Sequence, residues 1–320
     1  MRSRAVLLLA AACSVADAGS TASGGHWSEA PSMLAGRAAH AVVVAEGAVY
    51  ALAGTGSNGQ PEMSVERFDG HKWEVVTHLP GHGLNAPVAA SIGPLIYLIG
   101  GFDTTTNVPT AQVQVYDTRA HSWRAAAPLP RPRGGMGAAV LDGRIHVIGG
   151  GNSQSTIADH SVYDPATDRW SELAPLPRPL GSPAVLVHEG ALWSIGGRSG
   201  PEDFGNVWRY DPKGDSWVPG TSIPPRGTHG AVSACGAILV FGGESQLQQK
   251  VLADVLRFDS AHDAWSALEP MPVARNFARA VNFQGFVLVV GGSRYPGSSH
   301  ESAGSAVVDS FDPGCGNPSR

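Results

Sequence analysis

Four arginines stand at one recurring place in this chain. Arg37, Arg133, Arg226 and Arg275 each sit a few residues ahead of a short apolar run, and His40 and His229 follow two of them by three residues. The corresponding places in two further segments hold Gly83 and Leu180. A guanidinium is a planar fork of N–H donors that grips a carboxylate or sulfate through paired hydrogen bonds. Four of them around one opening would suit such an anion. The same repetition would equally serve to tie neighbouring loops together. The two histidines lack the short spacing to further ligands that a metal site uses, so no metal is expected there.

A second set of polar groups lies in segments that follow glycine pairs and vary in sequence, as functional loops do. It comprises Phe102-Asp103, Asn152, Arg198, Glu202-Asp203, Glu244, Lys250, Arg294, Tyr295, His300 and Glu301. The stretch 293–305 is the longest of these loops. Its glycine and serine content fits a lid and fits simple flexibility. No Gly-x-Ser-x-Gly elbow, His-Glu-x-x-His or phosphate-binding loop occurs, and no cofactor is expected.

Three markers, repeated in the same order, define the elements that must carry these groups. Tryptophans 27, 73, 123, 170, 217 and 265 recur every 46 to 50 residues. Apolar runs end in small residues at Ala53-Gly54, Gly100-Gly101, Gly149-Gly150, Gly196-Gly197, Gly242-Gly243 and Gly291-Gly292. An aromatic followed by Asp appears as Phe68-Asp69, Tyr116-Asp117, Tyr163-Asp164, Tyr210-Asp211, Phe258-Asp259 and Phe311-Asp312. A fixed period of this length is the mark of a repeat architecture. Each unit reads as four short strands. In the third, Gly137 to Leu141 and Arg144 to Ile148 flank the hairpin pair Asp142-Gly143. Strand three is then Ser161 to Tyr163, and Trp170 sits on strand four. Apolar runs of this length between turn residues fit strands buried on both faces.

Gly-Gly, then Tyr-Asp, then Trp, at a period near 50 residues, resembles the kelch repeat, over roughly residues 26–313. The resemblance implies an all-β fold: a six-bladed kelch-type β-propeller with four antiparallel strands per blade. The sixth unit has its glycine pair and Phe311-Asp312 but no following tryptophan, whereas Trp27 stands one repeat ahead of the first unit. The strand near His26 to Glu29 is therefore expected to complete the last blade and shut the ring. In such propellers the loops joining strands two to three and four to one share a face with the channel mouth. The resemblance implies ligand binding on that face.

The chain has 320 residues, a formal charge of -5, 41 glycines and 24 prolines, and only 15% charged residues. There is no basic footprint for nucleic acid. Residues 1–18 combine Arg2 and Arg4, an apolar stretch from Ala5 to Ala12 and Ala16-Asp17-Ala18, the pattern of a secretory signal peptide. Residues 19–25 read as a linker and 26–320 as the propeller. Cys13 also offers a lipid-anchor reading, and no transmembrane segment is expected. In an oxidising compartment Cys235 and Cys315 are compatible with a disulfide, and equally with two separate small residues in turns.

The leading expectation is an exported, non-enzymatic module, in the periplasm or outside the cell, that binds a protein or a glycan at its loop face. The alternative is a sugar mutarotase or epimerase acting on an acidic sugar. Gly243-Glu244 resembles the fifth-blade motif of the periplasmic sialic-acid mutarotase type of kelch propeller. That type has arginine six residues on, where this chain has Lys250. On that reading Glu244 handles the proton and arginines hold the sugar carboxylate.

Overall fold

A computed structural model describes residues 25–152, 154–297 and 303–315. The leader 1–18, the linker up to residue 24, Cys13, His300 and Glu301 lie outside the described residues. The chain forms six four-stranded antiparallel sheets and three two-stranded ribbons. The first blade runs from Ala41–Ala45 to Trp73–His78 and the second from Val88–Ile92 to Ser122–Ala126. The third spans Gly137–Leu141 to Arg169–Leu173, and the fourth Ala184–His188 to Ser216–Gly220. The fifth spans Gly230–Ala234 to Ala264–Leu268. The innermost strands touch one another in sequence and the sixth touches the first, which closes a six-bladed propeller.

The hairpin between strands one and two follows directly from sequence. Asp142 and Gly143 both have positive φ, 51° and 72°, the geometry of a two-residue type I′ turn. Glu46-Gly47, Glu189-Gly190, Cys235-Gly236 and Gln284-Gly285 repeat it. The glycine pairs have a different reason. At Gly291 (φ 62°) a Cβ would stand 2.7 Å from the Arg37 carbonyl oxygen of the neighbouring blade. Only glycine accepts both that φ and that approach.

The core is not one body: six apolar clusters each lie between two adjacent blades, as with Leu52, Tyr50 and Val65 against Ile96, Leu98 and Tyr116, and a small seventh of Ala38, Ala39, Ala86 and Phe277 sits where the blades meet. The other five interfaces repeat the plan. The aromatic-Asp marker and the tryptophan are cross-strand neighbours: Phe68↔Trp73, Tyr116↔Trp123, Tyr163↔Trp170, Tyr210↔Trp217 and Phe258↔Trp265. Their rings lie 5.0 to 5.2 Å apart. Each indole N–H crosses to the preceding blade. Trp170 donates to the Ala127 carbonyl at 2.8 Å, Trp217 to Ala174 at 2.9 Å and Trp265 to Thr221 at 2.8 Å. The aspartate accepts backbone N–H groups of the turn it opens, as Asp117 does from Arg119 and Ala120.

The sixth blade is closed as expected. Strand His26–Ala30 pairs antiparallel with Val308–Asp312, and Trp27 stands opposite Phe311. Trp27 donates to the Glu269 carbonyl at 3.2 Å, the same bond into the preceding blade that the other tryptophans make.

Cys235 and Cys315 form a disulfide with Cα atoms 5.3 Å apart. It fastens the hairpin of the fifth blade to the segment after strand three of the sixth. The bridge closes a segment of 80 residues. Replacing both cysteines by serine is expected to lower stability by about 3–4 kcal/mol. An unchanged denaturation midpoint would show that the two blades hold together without it.

Candidate functional site

The loop face is organised by a ring of backbone. Ala39, Ala86, Gly135, Ser182, Thr228 and Phe277 occupy one equivalent position in the six units, all with φ between 50° and 62°. Their peptides link blade to blade: Ala86 N donates to Ala39 O, Gly135 N to Ala86 O, Ser182 N to Gly135 O and Phe277 N to Thr228 O, at 2.6 to 2.8 Å. This ring sets the register of everything around it. Two residues before it stand Arg37, Leu84, Arg133, Leu180, Arg226 and Arg275. The counterpart in the second unit is thus Leu84, not the Gly83 expected from spacing, because the left-handed residue there is Ala86.

The four arginines do not converge on the opening. Each is fully buried and turns outward into its own blade. Arg37 donates to Ala53 O at 3.2 Å, Ser64 Oγ at 2.7 Å and Glu66 Oε1 at 2.9 Å. Arg133 reaches Ser161 Oγ at 2.7 Å and lies 3.3 Å from Asp159. Arg226 bonds Gly242 O at 3.2 Å and Asp254 at 2.5 Å. Arg275 bonds Gly291 O at 3.2 Å, Val307 O at 2.9 Å and Asp309 at 2.5 Å. In three of the four the guanidinium caps the carbonyl that ends strand two, and in all four it meets a carboxylate at strand three. Burial draws the Arg275 guanidinium below the usual arginine range, with Asp309 pulling it back; the Asp309 carboxyl is itself pushed up by burial. Desolvation outweighs the pairing, as is common for buried ion pairs.

His40 and His229 follow the arginines into the interior. His229 packs against Gly196 of the preceding blade, where a Cβ would lie 2.7 Å from the imidazole Cε1. His40 packs in the same way against Gly291. Burial, then Arg226, drives the His229 pKa down to about 3; burial, then Arg279, lowers that of His40. Both rings are therefore neutral near pH 7.

The loop candidates behave differently, and some of them meet. Arg198, on the long second strand Ala191–Ser199 of the fourth blade, makes an ion pair with Glu244 at the top of the fifth. The other Glu244 oxygen accepts from Asn276 Nδ2 at 2.5 Å and from Gly297 N at 3.2 Å. Asn276 also donates to the Tyr295 carbonyl at 3.1 Å. Gln246 N donates to Asp203 at 2.5 Å, and burial raises the Asp203 pKa. One network thus joins blades four, five and six. Lys250 is not in it. It pairs with Ser245 across the ribbon and is exposed, whereas Glu244 opposes Val251. The cation beside Glu244 is Arg198, one repeat earlier, rather than Lys250 six residues later. Arg294 is exposed and borders a separate cavity of about 400 Å³ with Trp27, Val273 and Asp309.

The same face also exposes a few apolar side chains. Leu34, Val108, Leu247 and Tyr295 are exposed, and all four lie in four-to-one or two-to-three loops. Leu247, 92% exposed, overhangs a groove of about 490 Å³ between blades four and five, walled by Pro201, Pro224, Pro225 and Leu252. Two residues of this face escaped sequence reasoning. Asn276 follows Arg275 directly and answers to Asn85 in the second unit. Arg279 stands where the other units have Ala41, Val88, Gly137, Ala184 and Gly230, which only a register taken from the backbone ring reveals.

Comparison with known proteins agrees with this architecture. Residues 96–318 match the family described as the Attractin/LZTR1 beta-propeller, and residues 36–80 match the Kelch motif. Kelch-like protein 35 of Mus musculus is 33% identical over 122 residues, 37% of this chain and 20% of that protein. Beta-scruin of Limulus polyphemus is 28% identical over 131 residues, 39% of this chain and 14% of that protein. The matched stretches thus span a fifth or less of those two relatives. A solved structure titled "Structure of YjhT" superposes with a TM-score of 0.74 at 17% identity, covering 87% of this chain and 95% of that one. At that identity the likeness is one of fold.

Proposed function

The chain belongs to the Attractin/LZTR1-type family of kelch β-propellers, and from that premise we propose that it is an exported, non-enzymatic interaction module that binds a protein through its loop face. The observation that carries this reading is that Leu34, Val108, Leu247 and Tyr295 are all exposed in loops of one face, Leu247 at the edge of a groove with three prolines in its wall. Large apolar side chains exposed together on one face, with polar groups among them, mark association surfaces. The leader-like composition of residues 1–18 supports export. The kelch-like relatives support binding over catalysis by analogy of fold.

Glu244 is poorly placed as a general base. It is 1% exposed, and both carboxylate oxygens are already engaged by Arg198, Asn276 and Gly297. A base must reach the proton it removes. Its role on this reading is to lock three blades together beneath the binding face. Glu244→Gln is expected to cost about 3 kcal/mol, because it breaks the ion pair with Arg198 and leaves only Asp203 to offset that charge. Thermal melting measures that loss.

The function is tested with photo-crosslinking side chains at Leu247 and Tyr295, and at Val75 and Val218 on outer strands as controls. Discrete protein adducts are expected at the first pair alone, and Leu247→Arg should abolish them. Acceleration of anomer exchange in an acidic sugar, followed by NMR and lost in Glu244→Gln, would replace this reading with the mutarotase one. Stabilisation by a neutral or acidic glycan without exchange would make the ligand a carbohydrate.

A further inference from the structure

Beside the backbone ring lies a chamber of about 130 Å³. Its walls are the first residues of the six innermost strands. The equivalent positions are Ala41, Val88, Gly137, Ala184, Gly230 and Arg279, so five small or apolar residues face one arginine. The next position around the ring is Val42, Ala89, Ala138, Val185, Ala231 and Ala280. None of these side chains except Arg279 carries a polar atom. The remaining wall residues are Pro183 and His229.

Arg279 is anchored by one end only. Its Nε donates to the His40 carbonyl at 2.9 Å, which holds the guanidinium across the boundary between the sixth and first blades. No ion pair joins it to a carboxylate among the described residues, in contrast to Arg37, Arg133, Arg226 and Arg275. The charged and titratable groups that face it are His40 and His229, both neutral rings, and each is itself pushed toward neutrality by this arginine. Burial alone lowers the Arg279 pKa to about 10, with no acidic neighbour opposing it. Arginine nonetheless remains charged at neutral pH. The chamber therefore holds a partly exposed guanidinium with no carboxylate partner among the described residues.

We propose that this chamber binds a small monocarboxylate, with the carboxylate on the free edge of the Arg279 guanidinium and the alkyl end against Val42, Val88 and Val185. The planar fork matches a carboxylate through two parallel N–H···O bonds. The side chains beside it are small, which leaves room for only a short alkyl end next to the guanidinium. The site is distinct from the loop-face groove, and one can be lost without the other.

The test is thermal melting of the purified protein in sodium acetate, propionate, chloride or sulfate at constant ionic strength. Acetate or propionate should raise Tm saturably by about 3 °C, while chloride and sulfate leave it unchanged. Arg279→Met, which removes the charge and keeps the length, should lose the acetate response. Arg279→Lys retains charge without the fork and should keep less than half of it; this variant serves if the methionine form does not fold. A carbon-13 acetate resonance that broadens with the parent and not with Arg279→Met gives a direct readout. An acetate response unchanged in both variants, a response to chloride alone, or no response in the parent would each overturn the proposal.

Discussion

Removing residues 26–30 is expected to make the protein aggregate and lose a cooperative melting transition. The five residues supply the whole outer strand of the sixth blade, paired in register from His26↔Asp312 to Ala30↔Val308. Their loss leaves Val308–Asp312 as an open edge, and both Val308 and Phe311 are fully buried in the closed ring. Unpaired strand edges template association. The indole is lost as well: Trp27 stacks 4.8 Å from Phe311 and 5.9 Å from Phe241, and its N–H ties the sixth blade to the fifth. Because the core is divided among six interfaces, damage at the seam spreads to both neighbours. Trp27→Ala, which keeps the strand, should cost about 2 kcal/mol and remain monomeric. Light scattering after size exclusion and calorimetry separate the two cases. A monomeric deletion variant with an unchanged melting point would mean that the sixth blade stands on three strands.

The scaffold was legible because its signals are local and repeated. An aromatic and a tryptophan a few residues apart are cross-strand neighbours in the same hairpin, so their spacing states their contact. Glycine pairs and Asp-Gly turns demand backbone conformations that few residues supply. The displaced Trp27 located the seam for the same reason. The site was less legible because a side chain's direction is decided by partners far away in sequence. Arg37, Arg226 and Arg275 find their carboxylates 29, 28 and 34 residues later, at strand three. Nothing near the arginines themselves says whether they point to the channel or into the blade. The recurring acid at Glu66, Asp159, Asp254 and Asp309 was the signal available, and it favours the blade. Arg198 and Glu244 are 46 residues apart, one repeat, so their pairing follows only after blade is set against blade. The same operation exposes Arg279 as the one charged residue in a ring of small ones.

Mild acid is expected to unfold the protein with a midpoint above pH 4, through its buried histidines. His146 and His160 lie between the third and fourth blades, with Nδ1 of one 2.9 Å from Nε2 of the other. One ring donates and its partner accepts, so a proton on the acceptor removes the bond and sets two donors face to face. Burial, then Arg144, lowers the His146 pKa to about 4; burial, then the His146 charge, lowers that of His160 to about 3. His229 falls to about 3, and His40 shifts in the same direction. In the unfolded chain each histidine takes up its proton near pH 6.5, while the folded protein resists until these lower values. The stability held by neutral rings is therefore complete above about pH 6.5 and declines as pH falls toward about 4. Three such groups, His146, His160 and His229, withdraw roughly 4 kcal/mol per pH unit once the unfolded state is protonated. A domain of this kind has on the order of 5–15 kcal/mol to lose. Turn aspartates such as Asp117 and Asp259, held below the usual range chiefly by backbone N–H groups and by His262 respectively, act in a separate window below about pH 4. Urea midpoints at pH 7, 6 and 5 measure the slope, and His229→Asn should flatten it by about a third. A constant midpoint down to pH 4.5 would show that the buried rings accept protons without disturbing the blades.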